Sequence, residues 1–61
     1  MNIEPGFRFN HPTQGLCRVV STGNADRVRY EFGAADWPPR HAVTTRSAIR
    51  NLVAAGVLAA V

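Results

Sequence analysis

Few side chains in this sequence can move a proton, attack a carbon or hold a metal near neutral pH. They are Cys17, His11, His41 and the acids Glu4, Asp26, Glu31 and Asp36. A structural zinc site takes four ligands, and one cysteine with two unpaired histidines does not supply them, so no metal is expected. Acid/base catalysis by two carboxylates needs them held a few ångströms apart. None of the four acids is spaced to suggest such a pair. Cys17 and His11 flank a turn, which leaves room for a thiolate–imidazole pair. The plainer reading has His11 satisfying the turn beside Pro12 and Cys17 serving as a small buried apolar residue. Phosphate-loop, dinucleotide and nucleophile-elbow motifs are absent. A domain of 61 residues also has little room for a ligand cavity of about 300 Å³. These residues predict a protein without catalytic activity, cofactor or small-molecule substrate.

The charge that remains is basic. Seven arginines (8, 18, 27, 29, 40, 46 and 50) against four acids give a net charge of +3, and there is no lysine. A GC-rich codon bias accounts for the missing lysine. The consequence is still a surface of planar guanidinium forks, suited to phosphate and carboxylate. The single cysteine excludes an internal disulfide and fits a reducing, cytoplasmic setting. No secretory leader is visible in MNIEPGFRF. The apolar tail LVAAGVLAAV is half the length of a membrane span, which needs about 20 residues.

The elements that must position these arginines are short. Pro5-Gly6 marks a turn. Phe7, Phe9 and His11 alternate with Arg8 and Asn10 as a strand would. Pro12-Thr13-Gln14-Gly15 is a second turn, and 16–20 is a β-rich run whose inward parity is open, a bulge being the way to bring both Leu16 and Val19 inside. A polar loop over 21–26 reverses the chain, with Gly23-Asn24 as the expected reversal. Residues 27–32 form the clearest strand: Val28, Tyr30 and Phe32 face one side, Arg27, Arg29 and Glu31 the other. The prolines at 38 and 39 forbid a central strand there, and 41–44 are assigned a short fourth strand. Thr45 is a good N-cap for a helix over 46–55 with Ala48, Ile49, Leu52 and Val53 as its apolar stripe. Gly56 fits its C′ position, with Val57 set to meet Leu52. Residues 57–61 form a last strand or a packed tail. The prediction is one mainly β domain over 1–61, a small SH3-like antiparallel barrel of four to five strands with one C-terminal helix. Its expected core is Phe7, Phe9, Leu16, Val19, Val28, Tyr30, Phe32, Ile49, Leu52 and Val53.

The hairpin supplies a resemblance. Phe9, His11, Pro12, Gly15 and Val19 match the pattern apolar-x-H/Y-P-x-x-G-x-G-x-V, and Val28-Arg29-Tyr30-Glu31-Phe32 matches the V-x-F strand that follows it. Over residues 5–32 the chain thus resembles the Tudor-like C-terminal domain of UvrD-type repair helicases and the RNA-polymerase-binding domain of CarD-type regulators. Cys17 departs from the pattern, standing where those families have a second glycine. The resemblance implies a Tudor-like barrel whose partner is nucleic acid or a nucleic-acid machine such as RNA polymerase. It does not extend to the helix.

Two surfaces are candidates for that partner. One is the wet face carrying Arg27 and Arg29, flanked by Arg8 and Arg18, which could follow phosphates or be neutralised by Glu31 and Asp26. The other is the start of the helix, where Thr44, Thr45, Arg46 and Arg50, helped by Arg40, could hold a phosphate or carboxylate. No acid in the first turn offsets Arg46, unless Asp36 pairs with it or with Arg40. Trp37, in its proline-flanked loop, is either a partner anchor that stacks on a base or a lid on the core, and its bond to Pro38 is a candidate for the cis form.

The leading functional expectation is a binding module that docks on nucleic acid or a nucleic-acid-bound protein through arginine. The alternative is a protein-interaction or inhibitor protein from a phage, plasmid or gene cassette, acting on a host enzyme or defence complex. Self-association through the tail 57–61 or an open strand edge would also enlarge so small a core.

Overall fold

The architecture is taken from a computed structural model that describes residues 2–33 and 38–61. Five strands and one helix follow in the order β1 (Arg8–His11), β2 (Gly15–Thr22), β3 (Arg27–Phe32), β4 (Arg40–Thr45), α1 (Arg46–Ala54) and β5 (Ala59–Ala60). They form one antiparallel sheet in the order β4-β3-β2-β1-β5. The first four strands are a meander, and the helix carries the chain back so that β5 pairs with β1. This is the expected mainly β architecture with one C-terminal helix. The fourth strand is longer than the sequence suggests, beginning at Arg40 directly after the proline pair.

Each connection has a local cause. Phe7 N–H donates to Glu4 O at 2.9 Å across Pro5-Gly6, and Gly6 takes φ +98°, which only glycine adopts freely. This turn folds Ile3 back onto the sheet, where it is 1% exposed. In the β1–β2 turn the imidazole Nδ1 of His11 accepts the backbone N–H groups of Thr13 (3.1 Å) and Gln14 (3.2 Å). His11 therefore organises its own turn. The β2–β3 reversal differs from expectation. Its left-handed residue is Ala25, at φ +57°, and Gly23 is not left-handed. Gly23 instead pairs its N–H with Arg27 O at 2.9 Å.

A β-bulge at Val20 shifts the inward parity of β2 part-way along the strand. Cys17, Arg18 and Val19 oppose Phe32, Glu31 and Tyr30, but beyond the bulge Ser21 opposes Arg29 and Thr22 opposes Val28. Cys17 and Val19 are consequently buried, and Leu16, expected in the core, is 47% exposed. The core on the sheet's inner face is Phe9, Cys17, Val19, Val28 and Tyr30, covered by Ile3, Ile49 and Leu58. Phe7, Phe32, Ala42 and Val53 pack around its edge.

The helix begins with Thr45 Oγ1 accepting Ala48 N–H at 3.0 Å. It ends in a Schellman arrangement. Gly56, at φ +78°, donates to Val53 O at 3.0 Å, and Val57 donates to Leu52 O at 2.9 Å. Only Ile49 of the helix is fully buried, and Leu52, expected inside, stays exposed beside this C-terminal cap. No described helix is long and apolar enough to cross a membrane.

Candidate functional site: the basic outer face of the sheet

Strand alternation sorts the arginines. Cross-strand register aligns Arg8, Arg18, Glu31 and His41 in one row across β1 to β4 on the solvent side. Ser21, Arg29 and Val43 form the next row, and Arg27 and Thr45 the third. Arg8 and Arg18 stand directly opposite one another, a like-charge pairing that destabilises a sheet unless a counter-ion is near. Glu31 is that counter-ion for Arg18, accepting from its Nε at 2.9 Å and lying 2.8 Å from its second guanidinium nitrogen. The same carboxylate lies 3.9 Å from His41. Arg8, Arg27 and Arg29 have no ion pair among the described residues. The described aromatic side chains, Phe7, Phe9, Tyr30 and Phe32, form a packed row with neighbouring centroids 5.4–6.1 Å apart, with Phe9 and Tyr30 buried in the core.

The residues expected around the helix start are not brought together as one site. Arg40 begins β4 on the core-side parity, opposite Phe32, while Thr45 ends the same strand. At about 3.3 Å per residue, some 17 Å of strand separates them. Thr44 is half-buried opposite Val28. Thr45 uses its hydroxyl on the helix cap. Arg46 turns toward the N-terminal segment, where Nε donates to Ile3 O at 3.1 Å and the guanidinium lies 3.9 Å from Glu4. Arg50 is exposed one turn along. Asp36 and Trp37, and with them the Asp36 pairing, the Trp37 anchor and the Trp37-Pro38 bond, lie outside the described residues.

The helix N-terminus does take an anion, and the chain itself provides it. Asp26 Oδ2 accepts Ser47 N–H at 2.8 Å and also the Ser47 hydroxyl, while Asp26 O accepts Arg46 N–H at 2.9 Å. The two Ser47 hydrogen bonds, with help from the charges of Arg50 and Arg46, hold the Asp26 carboxyl below its usual range. Sequence reasoning misses this because Asp26 reaches the helix from a loop 21 residues earlier.

The sign of the resulting pH effect follows. A carboxyl whose folded pKa is lowered adds stability that is fully present above its unfolded pKa, about 3.9. That stability is lost as pH falls through the folded value. Asp26→Asn should therefore unfold at a lower temperature than the parent at pH 7, with the gap closing in strong acid once pH has fallen through the lowered folded pKa. Circular dichroism melts at pH 7 and in strong acid check this; a gap that persists unchanged in acid would refute the ionic latch.

Cys17 and His11 each engage other groups, His11 the backbone of its turn and Cys17 the residues at the start of β2. Burial pushes the Cys17 thiol up, away from thiolate, and its Sγ lies 3.4 Å from Gly15 O and 3.9 Å from Gln14 Oε1. Tyr30 Oη donates to that same Gln14 oxygen at 2.9 Å, so Gln14 closes the polar end of the core. Among the described residues, no three of His, Cys, Asp and Glu converge as metal ligands.

No protein-family model, curated protein or solved structure matches the chain. The Tudor-like resemblance therefore rests on the hairpin residues that suggested it.

Proposed function

We propose that the chain is a non-catalytic module that docks on nucleic acid, or on a protein bound to it, through the outer face of its sheet. The observation that carries this reading is the disposition of charge on that face. Arg8, Arg18, Arg27 and Arg29 project from it, Glu31 is the acid in their rows, and Asp26 is engaged at the helix start. Arginine forks on a sheet surface contact phosphate oxygens and carry no sequence information by themselves. With the described aromatics in or against the core, base stacking by that face has no platform among the described residues. The reading is thus of backbone recognition with little sequence preference, in a reducing compartment such as the cytoplasm.

Fluorescence anisotropy with a 20-base-pair DNA duplex, its RNA counterpart and single strands tests it. Four phosphate contacts predict a log–log salt slope of roughly −3 to −4. The double variant Arg27→Ala/Arg29→Ala should flatten that slope by about 2. Absence of binding to every one of these probes at 20 mM salt would remove the reading. A second reading has one specific support. Leu16, Val43 and Val61 are 47%, 57% and 62% exposed, and Leu16 and Val43 lie on strands that carry the arginines. Arginine mixed with apolar side chains also suits a protein partner with an acidic face.

A further inference from the structure

We infer that the outer face holds one defined oxyanion site, a niche beside the β2 bulge in which Arg27 and Arg29 grip a single phosphate group. This deepens the nucleic-acid reading and rests on it.

The niche is a depression of about 240 Å³ lined by Ser21, Thr22, Gly23, Arg27, Arg29 and Val43. At about 30 Å³ per water it holds roughly eight waters. That is room for a tetrahedral oxyanion with part of its hydration and too little for a base pair. The bulge builds it. If the register of Cys17, Arg18 and Val19 ran on unbroken, Val20 would stand opposite Arg29 and Ser21 would turn inward opposite Val28. With the bulge, Ser21 stands opposite Arg29 on the wet face and lines the same hollow. Bulges re-aim side chains in this way and also sharpen the local twist.

Arg27 is positioned from the other side. Its backbone carbonyl is tied to Gly23 N–H at 2.9 Å. Its aliphatic stem passes the bare α-carbon of Gly23, where a Cβ would sit 3.7–4.0 Å from its methylenes. The two arginines are two residues apart on one strand face, so their α-carbons are about 6.7 Å apart. Two planar forks at that spacing can converge on one phosphate. The acids that could compete are engaged elsewhere: Asp26 on Ser47, Glu31 on Arg18.

A larger open saddle of about 600 Å³ adjoins the niche and shares Gly23 and Arg27 with it. That saddle is also lined by Asp26, whose carboxylate would repel an anion, so the site is assigned to the smaller hollow.

The test follows the arginine Nε–Hε resonances by NMR during titration with inorganic phosphate and, separately, with a 12-base-pair DNA duplex. Saturable shifts led by Arg27 and Arg29 in both titrations are expected. Arg29→Ala should weaken phosphate binding about tenfold, as for a lost charged hydrogen bond. Arg29→Lys, which keeps the charge and loses the fork, should recover only part of it, and Arg40→Ala, outside the docking face at the start of β4, should leave it unchanged. Shifts spread evenly over the arginines, or full recovery by Arg29→Lys, would overturn the niche. If the duplex binds with that even pattern, the basic-face reading survives and the niche fails. If the duplex does not bind while phosphate saturates Arg27 and Arg29, the niche stands as a site for a free phosphate or phosphomonoester and the nucleic-acid reading fails.

Discussion

Phe9→Ala should remove a large part of the stability of the chain at 25 °C. Phe9 is 1% exposed at the centre of the sheet, opposite Cys17 of β2 and Ala60 of β5. Its ring meets Tyr30 edge-on at a centroid distance of 5.4 Å and stacks on Phe7 at 6.1 Å. Truncating a buried phenylalanine costs about 3–5 kcal/mol. Stabilities of 0.05–0.15 kcal/mol per residue give a 61-residue chain about 3–9 kcal/mol in all. The folded chain exposes 4060 Å², close to the roughly 3900 Å² expected for its mass, so burial beyond the norm does not offset the loss. Far-UV circular dichroism and urea titration decide the matter. Leu16→Ala is the control, because an exposed truncation should move stability by less than about 0.5 kcal/mol. If Leu16→Ala unfolds the protein while Phe9→Ala does not, the inward face of β1 and β2 has been assigned the wrong way round.

That pair of variants also marks where the fold is legible in the sequence. The third strand is legible to the residue, Arg27–Phe32, because apolar and charged side chains alternate strictly along it. The run Leu16-Cys17-Arg18-Val19-Val20 is not, because four apolar residues in five fit either parity. The choice is made by the pairing of Cys17 with Phe9 and Phe32, and the bulge then turns Thr22 rather than Ser21 toward the core side. Ile3 stands alone among polar neighbours and enters the core only because Pro5-Gly6 reverses the chain over it. Leu58 is hidden by the same logic, in a tail whose return to β1 depends on the Gly56 cap.

The site divides in the same manner. Arg27 and Arg29 on one wet face follow from alternation alone. The affinity of the helix start for an anion follows from its free N–H groups, but not that Asp26 fills it, since that contact joins a loop to a helix across the whole of β3 and β4. Ser21 is placed beside Arg29 by the bulge, and no periodicity in the sequence carries that information.

The helix is where local and tertiary forces can be weighed against each other, and Ile49→Ala should lower the melting temperature by more than about 10 °C. Nine residues are too few for a helix stable by itself in water, where roughly 12–15 are needed even for favourable sequences. This one has no acid in its first turn and no base in its last. Arg46 and Arg50 repel at i, i+4. Its existence therefore depends on tertiary contacts, above all the Asp26–Ser47 latch and the burial of Ile49, 1% exposed, beneath the sheet. Truncation of a buried isoleucine costs about 2–5 kcal/mol. Because Ile49 covers the same core as Ile3 and Leu58, the loss should propagate to the sheet. Hydrogen exchange should then show the amides of α1 and β3 opening together in the variant. Loss of protection in α1 alone, with β3 unchanged, would make the helix an appendage and separate it from the core. A docked helix also keeps Asp26 on Ser47 and away from its neighbour Arg27, so the contact that holds α1 in place also leaves the basic face without an internal counter-ion at that position.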